Sequence, residues 1–232
     1  MVRASLCGDW EGSVGPLLHR VSNQYDVFDC PKRVTHAGRH RGRAYVLSAP
    51  YVERQSPRPR APPVVVILET QRLTLRHLER ADLPELYALY RDPEIRRYFP
   101  DGTRTLEQTR DELEWFLHGH PHHPQLGLWA TVEKRTGSFL GRCGLIPWSI
   151  DGRLEVELAY LIDKPRWGEG LATEAARGIV AHARMSLGLS RLICLIVPGN
   201  QRSAAVAEKL GMRFEREHTD EFGLCHIYAM SL

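Results

Sequence analysis

The rhythm of apolar positions changes several times along the chain, and each change predicts an element. From Val64, the stretch VVVILETQRLTLRHL alternates apolar and polar residues through Leu68, Leu73, Leu75 and Leu78, the pattern of a half-buried strand with a central turn. A helical period follows. One helix, opened by Asp82 as N-cap with Pro84 near its first position, carries Leu83, Leu86, Tyr87 and Tyr90. A second, from about Thr105, carries Leu106, Leu113, Phe116 and Leu117. Alternation returns in LGLWATVEK, SFLGRCGLIPW and LEVELAYLID, three antiparallel strands joined by the turn pairs Thr136-Gly137 and Asp151-Gly152.

A third helix over about residues 170–187 buries Leu171, Ala175, Ile179 and Ala183. RLICLIV then reads as a strand, residues 201–210 as a fourth helix, and MRFEREHTDEFGLCHIYAMSL as a closing hairpin. Strand, helix and strand in that order form a right-handed crossover, which makes LEVELAYLID and RLICLIV parallel. The sum is an α+β domain with a mixed, mostly antiparallel sheet and about four helices.

Residues 1–63 show no sustained period and end in RQSPRPRAPP, so they read as a disordered or weakly ordered basic arm ahead of a domain at 64–232. The arm holds ten Lys/Arg against five Asp/Glu, the remainder 21 against 23, so the net charge of +3 belongs to the arm. Its arginines are read as solvated, and nucleic-acid or ribosome contact is the less favoured reading. The longest apolar runs, VVVIL and LICLIV, are far shorter than the roughly 20 residues a membrane helix needs, and MVRASLCGDW has no apolar signal core. A cytoplasmic protein without membrane contact, monomeric or homodimeric, is expected. Five scattered cysteines with no C-x-x-C pair suggest reduced thiols, neither a disulfide framework nor a zinc site. HGHPHHP packs four histidines into seven positions, but its prolines fix no ligand geometry, and no metal is expected.

Chemistry concentrates in RWGEGLATEA, where a strand hands over to a helix through two glycines. The first helical turn has backbone N–H groups without partners at the positive end of the helix dipole, and side-chain-free residues let a diphosphate approach them. VPGN follows the other parallel strand at the same edge, so a ligand should lie between the two turns. The dinucleotide fingerprint is excluded by Thr173 and by a second strand that ends in Pro198, Gly199 and Asn200, and a P-loop by the lack of G-K-[ST].

EVELAYLIDKPRWGEGLATEA followed by VPGNQRSAAVAEKLGMRFERE resembles the acetyl-CoA-binding half of the GNAT superfamily of N-acetyltransferases, and LETQRLTLR resembles the opening strand of its RimJ/RimL-like branch, the ribosomal-protein N-terminal acetyltransferases. The resemblance covers Leu68 to the C-terminus. It implies a three-layer fold with a splayed parallel strand pair and acetyl-CoA as co-substrate. The family's Q/R-x-x-G-x-G/A pattern falls on Trp167, Gly168, Glu169, Gly170, Leu171 and Ala172, with tryptophan in first place, and the N–H groups of residues 168–173, Thr173 included, would hold the diphosphate. Pantetheine would pair with backbone groups among Ala159, Tyr160, Leu161 and Ile162. Asn200 and Ser203 match N-x-x-S; Asn200 is read as a pantetheine ligand, a plain helix cap, or both.

Amide formation needs a neutral amine, a polarised carbonyl and help for the departing thiolate. Glu157 is the favoured base, on the residues and on the resemblance; Glu155, two positions away, shares its strand face and could couple to it. The helix position where many GNAT enzymes carry an acidic tyrosine is Ala207, so Ser203, or more distantly Tyr228, is expected to protonate the thiolate. A backbone N–H near Leu161 would serve the oxyanion. The function implied is direct acetyl transfer from acetyl-CoA to a primary amine, a protein N-terminus or a small molecule; the alternative is a non-catalytic acyl-CoA sensor or interaction module. Asp101, Asp220 and Glu221 would suit a cationic acceptor, although surface acids need no such reason.

Overall fold

The computed structural model describes residues 65–232. The arm at 1–63 lies outside the described residues. Eight strands form one sheet in the order β1-β2-β3-β4-β5-β6-β8-β7. They are β1 (Val66–Glu69), β2 (Leu73–His77), β3 (Gly127–Glu133), β4 (Phe139–Ile150), β5 (Arg153–Ile162), β6 (Arg191–Ile196), β7 (Arg213–Asp220) and β8 (Gly223–Ser231). Four helices accompany them: α1 (Leu83–Tyr90), α2 (Leu106–Phe116), α3 (Leu171–Met185) and α4 (Gln201–Lys209). The predicted α+β architecture is present, and β5 and β6 are its one parallel pair.

Local chemistry sets the turns. Asp151 (φ 51°) and Gly152 (φ 73°) supply the two consecutive left-handed residues that a tight β4–β5 hairpin requires. Thr105 and Gln108 form a reciprocal capping box that starts α2. Asp82 does not cap α1 with its side chain; its carboxylate instead accepts the Glu79 N–H and the Arg76 guanidinium, closing the preceding short helical turn.

The two sheet faces have different partners. On one, Leu158, Leu192, Cys194 and Ile196 pack beneath α3, whose buried Ala175, Ala176 and Ala183 let the helix axis approach closely. Each large apolar side chain buried here contributes about 1.5–3 kcal/mol relative to exposure. On the other, Leu86, Tyr90 and Leu113 of α1 and α2 cover Leu161, and Phe116 covers Leu128 and Ala159. The closing hairpin departs from simple succession: β8, not β7, pairs with β6, leaving β7 at the sheet edge. Among the described residues no helix is long and apolar enough to cross a membrane.

Candidate active site

The site begins where two strands part. β5 and β6 share a single register pair, Glu157 with Ile193, and beyond it the ladder stops. Backbone direction alternates along a strand, so neighbouring residues address opposite edges. The Leu158 carbonyl faces β6, where it accepts from Cys194 Sγ at 3.2 Å. The Leu161 carbonyl faces β4, since a Cβ on Gly141 would come within 2.0 Å of it. By that alternation Tyr160 and Ile162 turn their backbone groups into the gap, and Ala159 and Leu161 do not. The gap-facing amides near Leu161 are therefore those of Tyr160 and Ile162, and not that of Leu161 itself. The Ile162 carbonyl already accepts from Trp167 Nε1 at 2.7 Å.

Glu157 sits at the parting point, half-buried, and Trp148 Nε1 donates to its Oε2 at 2.7 Å. Burial pushes its carboxyl above the ordinary glutamate value; the Trp148 bond, the Arg142 charge and the Leu195 backbone N–H offset part of that rise. Glu155 is not its electrostatic partner. Arg191 takes the Glu155 carboxylate at 3.0 Å, so the raised affinity of Glu157 for its proton comes from desolvation and not from a paired acid.

Across the gap, on the α4 side, two hydroxyls interlock. Tyr160 Oη donates to the Ser203 carbonyl at 2.9 Å and accepts from Ser203 Oγ at 3.0 Å. Burial raises the Tyr160 hydroxyl well above the usual phenol range. Ser203 thus stands against the side chain of Tyr160, a residue from which only the backbone was expected to contribute. Tyr228, like Ser203, lies on the α3–α4 side of the sheet. It stands opposite Cys194 on the α3–α4 face, edge-on to Phe214 with ring centroids 6.0 Å apart, whereas Glu157 follows the opposite parity. Asn200 is the N-cap of α4, its Oδ1 accepting the Ser203 N–H at 3.2 Å, so the capping role is filled. Ala207 is fully buried in the core.

The glycine turn carries unused donors. Gly170, the N-cap of α3, has φ 78° and no capping side chain, and Gly168 has φ 85°. Among the described residues no acceptor meets the N–H groups of residues 168–173; the first helical bond is Glu174 N–H to Gly170 O at 2.9 Å. A Cβ at Gly168 would meet nothing within 4 Å and one at Gly170 only Arg72 Nη2 at 3.9 Å, so the glycines serve a left-handed backbone and relieve no crowding. Arg166 is committed to Glu169 and Glu133, each at 2.9 Å, and does not turn to the ligand side. Instead Arg202 lies over the Trp167 ring at 4.5 Å, a cation at the turn that no motif announced.

The β1–β2 turn grips the same helix end. Thr70 Oγ1 and the Arg72 N–H donate to Glu174 Oε1 at 2.6 and 2.7 Å, and the Arg72 guanidinium reaches the Glu169 carbonyl at 3.1 Å. Beside it opens a cavity of about 660 Å³ bearing the cations Arg72, Arg177 and Lys209 along with Gly170 and Thr173. Glu69 and Glu174 line it too, and neither Glu157 nor Ser203 does, so this cavity lies apart from the reacting end. The thiols of Cys143, Cys194 and Cys225 are buried, and burial raises each above its ordinary value, which leaves no nucleophilic thiolate among them. Among the described residues no group of acids, histidines and cysteines is arranged to hold a metal ion.

Comparison with known proteins identifies the domain. The Acetyltransferase (GNAT) domain family matches residues 72–213. The chain is 35% identical over 150 residues to the uncharacterized protein YkkB of Bacillus subtilis, covering 64% of this chain and 86% of the relative. It is 29% identical over 171 residues to the uncharacterized N-acetyltransferase p20 of Bacillus licheniformis, covering 71% and 94%. A GNAT-family acetyltransferase structure from Bacillus anthracis superposes with a TM-score of 0.61 at 22% identity, over 71% of this chain and 97% of that one. The parted strands, the uncapped helix turn and the matched domain carry one conclusion: this chain belongs to the GNAT acetyltransferase family and is an N-acetyltransferase, moving an acetyl group from acetyl-CoA to an amine.

Proposed function

We propose that the chain catalyses direct transfer of acetyl from acetyl-CoA to a primary amine, with Glu157 as general base and without a covalent enzyme intermediate. One observation carries this reading: the half-buried carboxyl of Glu157 stands at the point where β5 and β6 separate. Acetyl-CoA, when bound, supplies the thioester whose carbonyl carbon the amine attacks. The free N–H groups of residues 168–173 fit its diphosphate, and Arg202 and Lys209 add positive charge nearby. Tyr160 and Ile162 present backbone groups to its pantetheine amides.

Glu157 takes the proton from the attacking amine, directly or through water. Its raised proton affinity suits that task, because a base works best with a pKa near the operating pH. The Tyr160 N–H stabilises the developing oxyanion. On the opposite face, Ser203 Oγ, whose proton rests on Tyr160 Oη, turns it to the departing thiolate and regains a proton from solvent. Base and acid thus stand on opposite faces, with the thioester in the gap between them.

The RimJ/RimL-like affiliation belongs to this proposal too. A RimL ribosomal L7/L12 alpha-N-protein acetyltransferase shares the fold, with a TM-score of 0.60 at 17% identity over 73% of this chain and 95% of that one. So does a spermidine N-acetyltransferase from Vibrio cholerae, at 0.57 and 17% over 69% and 95%. Proteins with such different acceptors share this frame, so the acceptor must be read from side chains and not from the fold.

The test is release of free CoA thiol from acetyl-CoA with mixed amine acceptors, wild type against Glu157→Gln. Loss of a general base is expected to lower kcat by about 10²–10⁴-fold while acetyl-CoA still binds. Binding by the wild type without turnover of any acceptor overturns the enzyme reading in favour of an acyl-CoA sensor, the reading that a buried Ala207 in place of a tyrosine favours.

A further inference from the structure

Around the fully buried Tyr90, three guanidinium groups meet two carboxylates. Arg96 binds Asp101 and donates from Nε to the Gly102 carbonyl at 2.7 Å. Arg104 binds Asp101 at 2.8 Å and Glu112 at 2.6 Å. Tyr90 Oη donates to Glu112 and accepts from Arg142 Nε at 2.7 Å. Both acids are therefore taken. The nearest approach of Arg142 to Glu112 is 3.9 Å, and it runs through Nε.

The terminal nitrogens of Arg142 have no hydrogen-bond partner among the described residues, although the residue is only 5% exposed. They are not sealed in either, because the described buried side-chain atoms that lack partners are His77 Nδ1 and Thr131 Oγ1 alone. Two donors on a nearly buried cation thus open onto reachable space. Glu112 offsets part of the charge from 3.9 Å on the Nε side, but the terminal edge keeps its paired donors, and those match a carboxylate.

Its location matters. Arg142 stands opposite Leu161 on β4, and Glu157 stands opposite Ile146, so by strand parity both side chains share the α1–α2 face. Phe99, from the segment between α1 and α2, lies 5.8 Å from the Arg142 guanidinium carbon. The adjacent Tyr98 Oη donates to the Gly199 carbonyl at 3.0 Å, so this segment crosses the mouth of the gap. Asp101, which the sequence offered to a cationic acceptor, is spent on Arg96 and Arg104.

We propose that the acceptor amine carries a carboxylate, which docks on the free edge of the Arg142 guanidinium while the amino group turns to Glu157. This rests on the acetyltransferase reading and narrows it to amino-acid-like acceptors. Polyamines and neutral amines lack the group that would complete the Arg–carboxylate pair.

The experiment measures kcat/KM for matched acceptors, each a free amino acid and its own primary amide, in a series from glycine through β-alanine to 6-aminohexanoate. Wild type should favour the acid at the best spacing by about 10–100-fold, the range of a hydrogen bond to a charged group. Arg142→Gln should bring that ratio close to one, and Arg142→Lys should keep part of it. Because the ratio is taken within one variant, a partly unfolded preparation does not distort it. Should Arg142→Gln fail to fold, the wild-type and Arg142→Lys ratios decide. Equal use of acid and amide by wild type, or a preference that survives Arg142→Gln, overturns the carboxylate proposal and leaves acetyl transfer standing. Failure to acetylate any amine, carboxylated, neutral or cationic, overturns both.

Discussion

The indole N–H of Trp148 and the carboxylate of Glu157 meet across the β4–β5 pair at 2.7 Å. The bond favours the charged carboxylate while burial opposes it, and burial wins. Removing the donor should raise the proton affinity of Glu157 further. Activity needs the deprotonated base, so the acid limb of the kcat/KM profile lies above the ordinary glutamate value in wild type. In Trp148→Phe it should move to still higher pH. Rate against pH for the two proteins, with one neutral acceptor, checks the direction; a limb that stays or moves down counts against Glu157.

Gly170 occupies φ 78°, and a Cβ there would reach Arg72 Nη2 at 3.9 Å. Gly170→Val forces a branched residue into the left-handed region, at a cost of about 1–2 kcal/mol, and sets its methyl groups beside Arg72 in the cationic cavity. Affinity for CoA, by calorimetry, should fall about tenfold or more. Val at Gly137, also left-handed (φ 72°) and open but in the β3–β4 turn, should cost similar stability without the affinity loss.

Tyr160 and Ser203 hold one another through two hydrogen bonds. Tyr160→Phe and Ser203→Ala should each lower stability by about 1 kcal/mol, and the double variant should lose less than the sum. Urea unfolding of the four proteins gives the coupling. Additive losses would mean that the interlock contributes nothing.

Cys143, Cys194 and Cys225 are too buried and too firmly protonated to accept an acetyl group. After incubation with acetyl-CoA and no acceptor, peptide mass spectrometry should find all three unmodified. An acetylated Cys194 peptide would point to a two-step route.

Much of the frame is written in local patterns. Alternation in LEVELAYLID, the apolar run of RLICLIV, the Asp151-Gly152 pair and the glycines before α3 each act within a few residues, so the strands, the hairpin and the uncapped turn could be read directly. What stayed hidden depends on residues far apart. Arg142 and Tyr90 are 52 positions apart, Tyr160 and Ser203 43, and no local period brings either pair together. Tyr228 shows the same limit: which face it occupies depends on the β6–β8 register, and β8 reaches β6 only because the final hairpin folds back with β7 outermost. Glu155 beside Glu157 suggested a coupled pair until Arg191, 36 residues on, claimed the former.

The parted strands also give the sheet an edge in its own interior. Ordinary borders of a sheet invite any neighbouring chain, and proteins blunt them with charge or short length. Here the border lies between α3 on one side and the α1–α2 segment on the other, covered where an ordinary edge is open. On the reading proposed above, the amide-bearing tail of acetyl-CoA would stand in for the missing rungs. The catalyst would then be least complete as a folded object when it is idle, and the molecule it consumes would serve meanwhile as one of its structural parts.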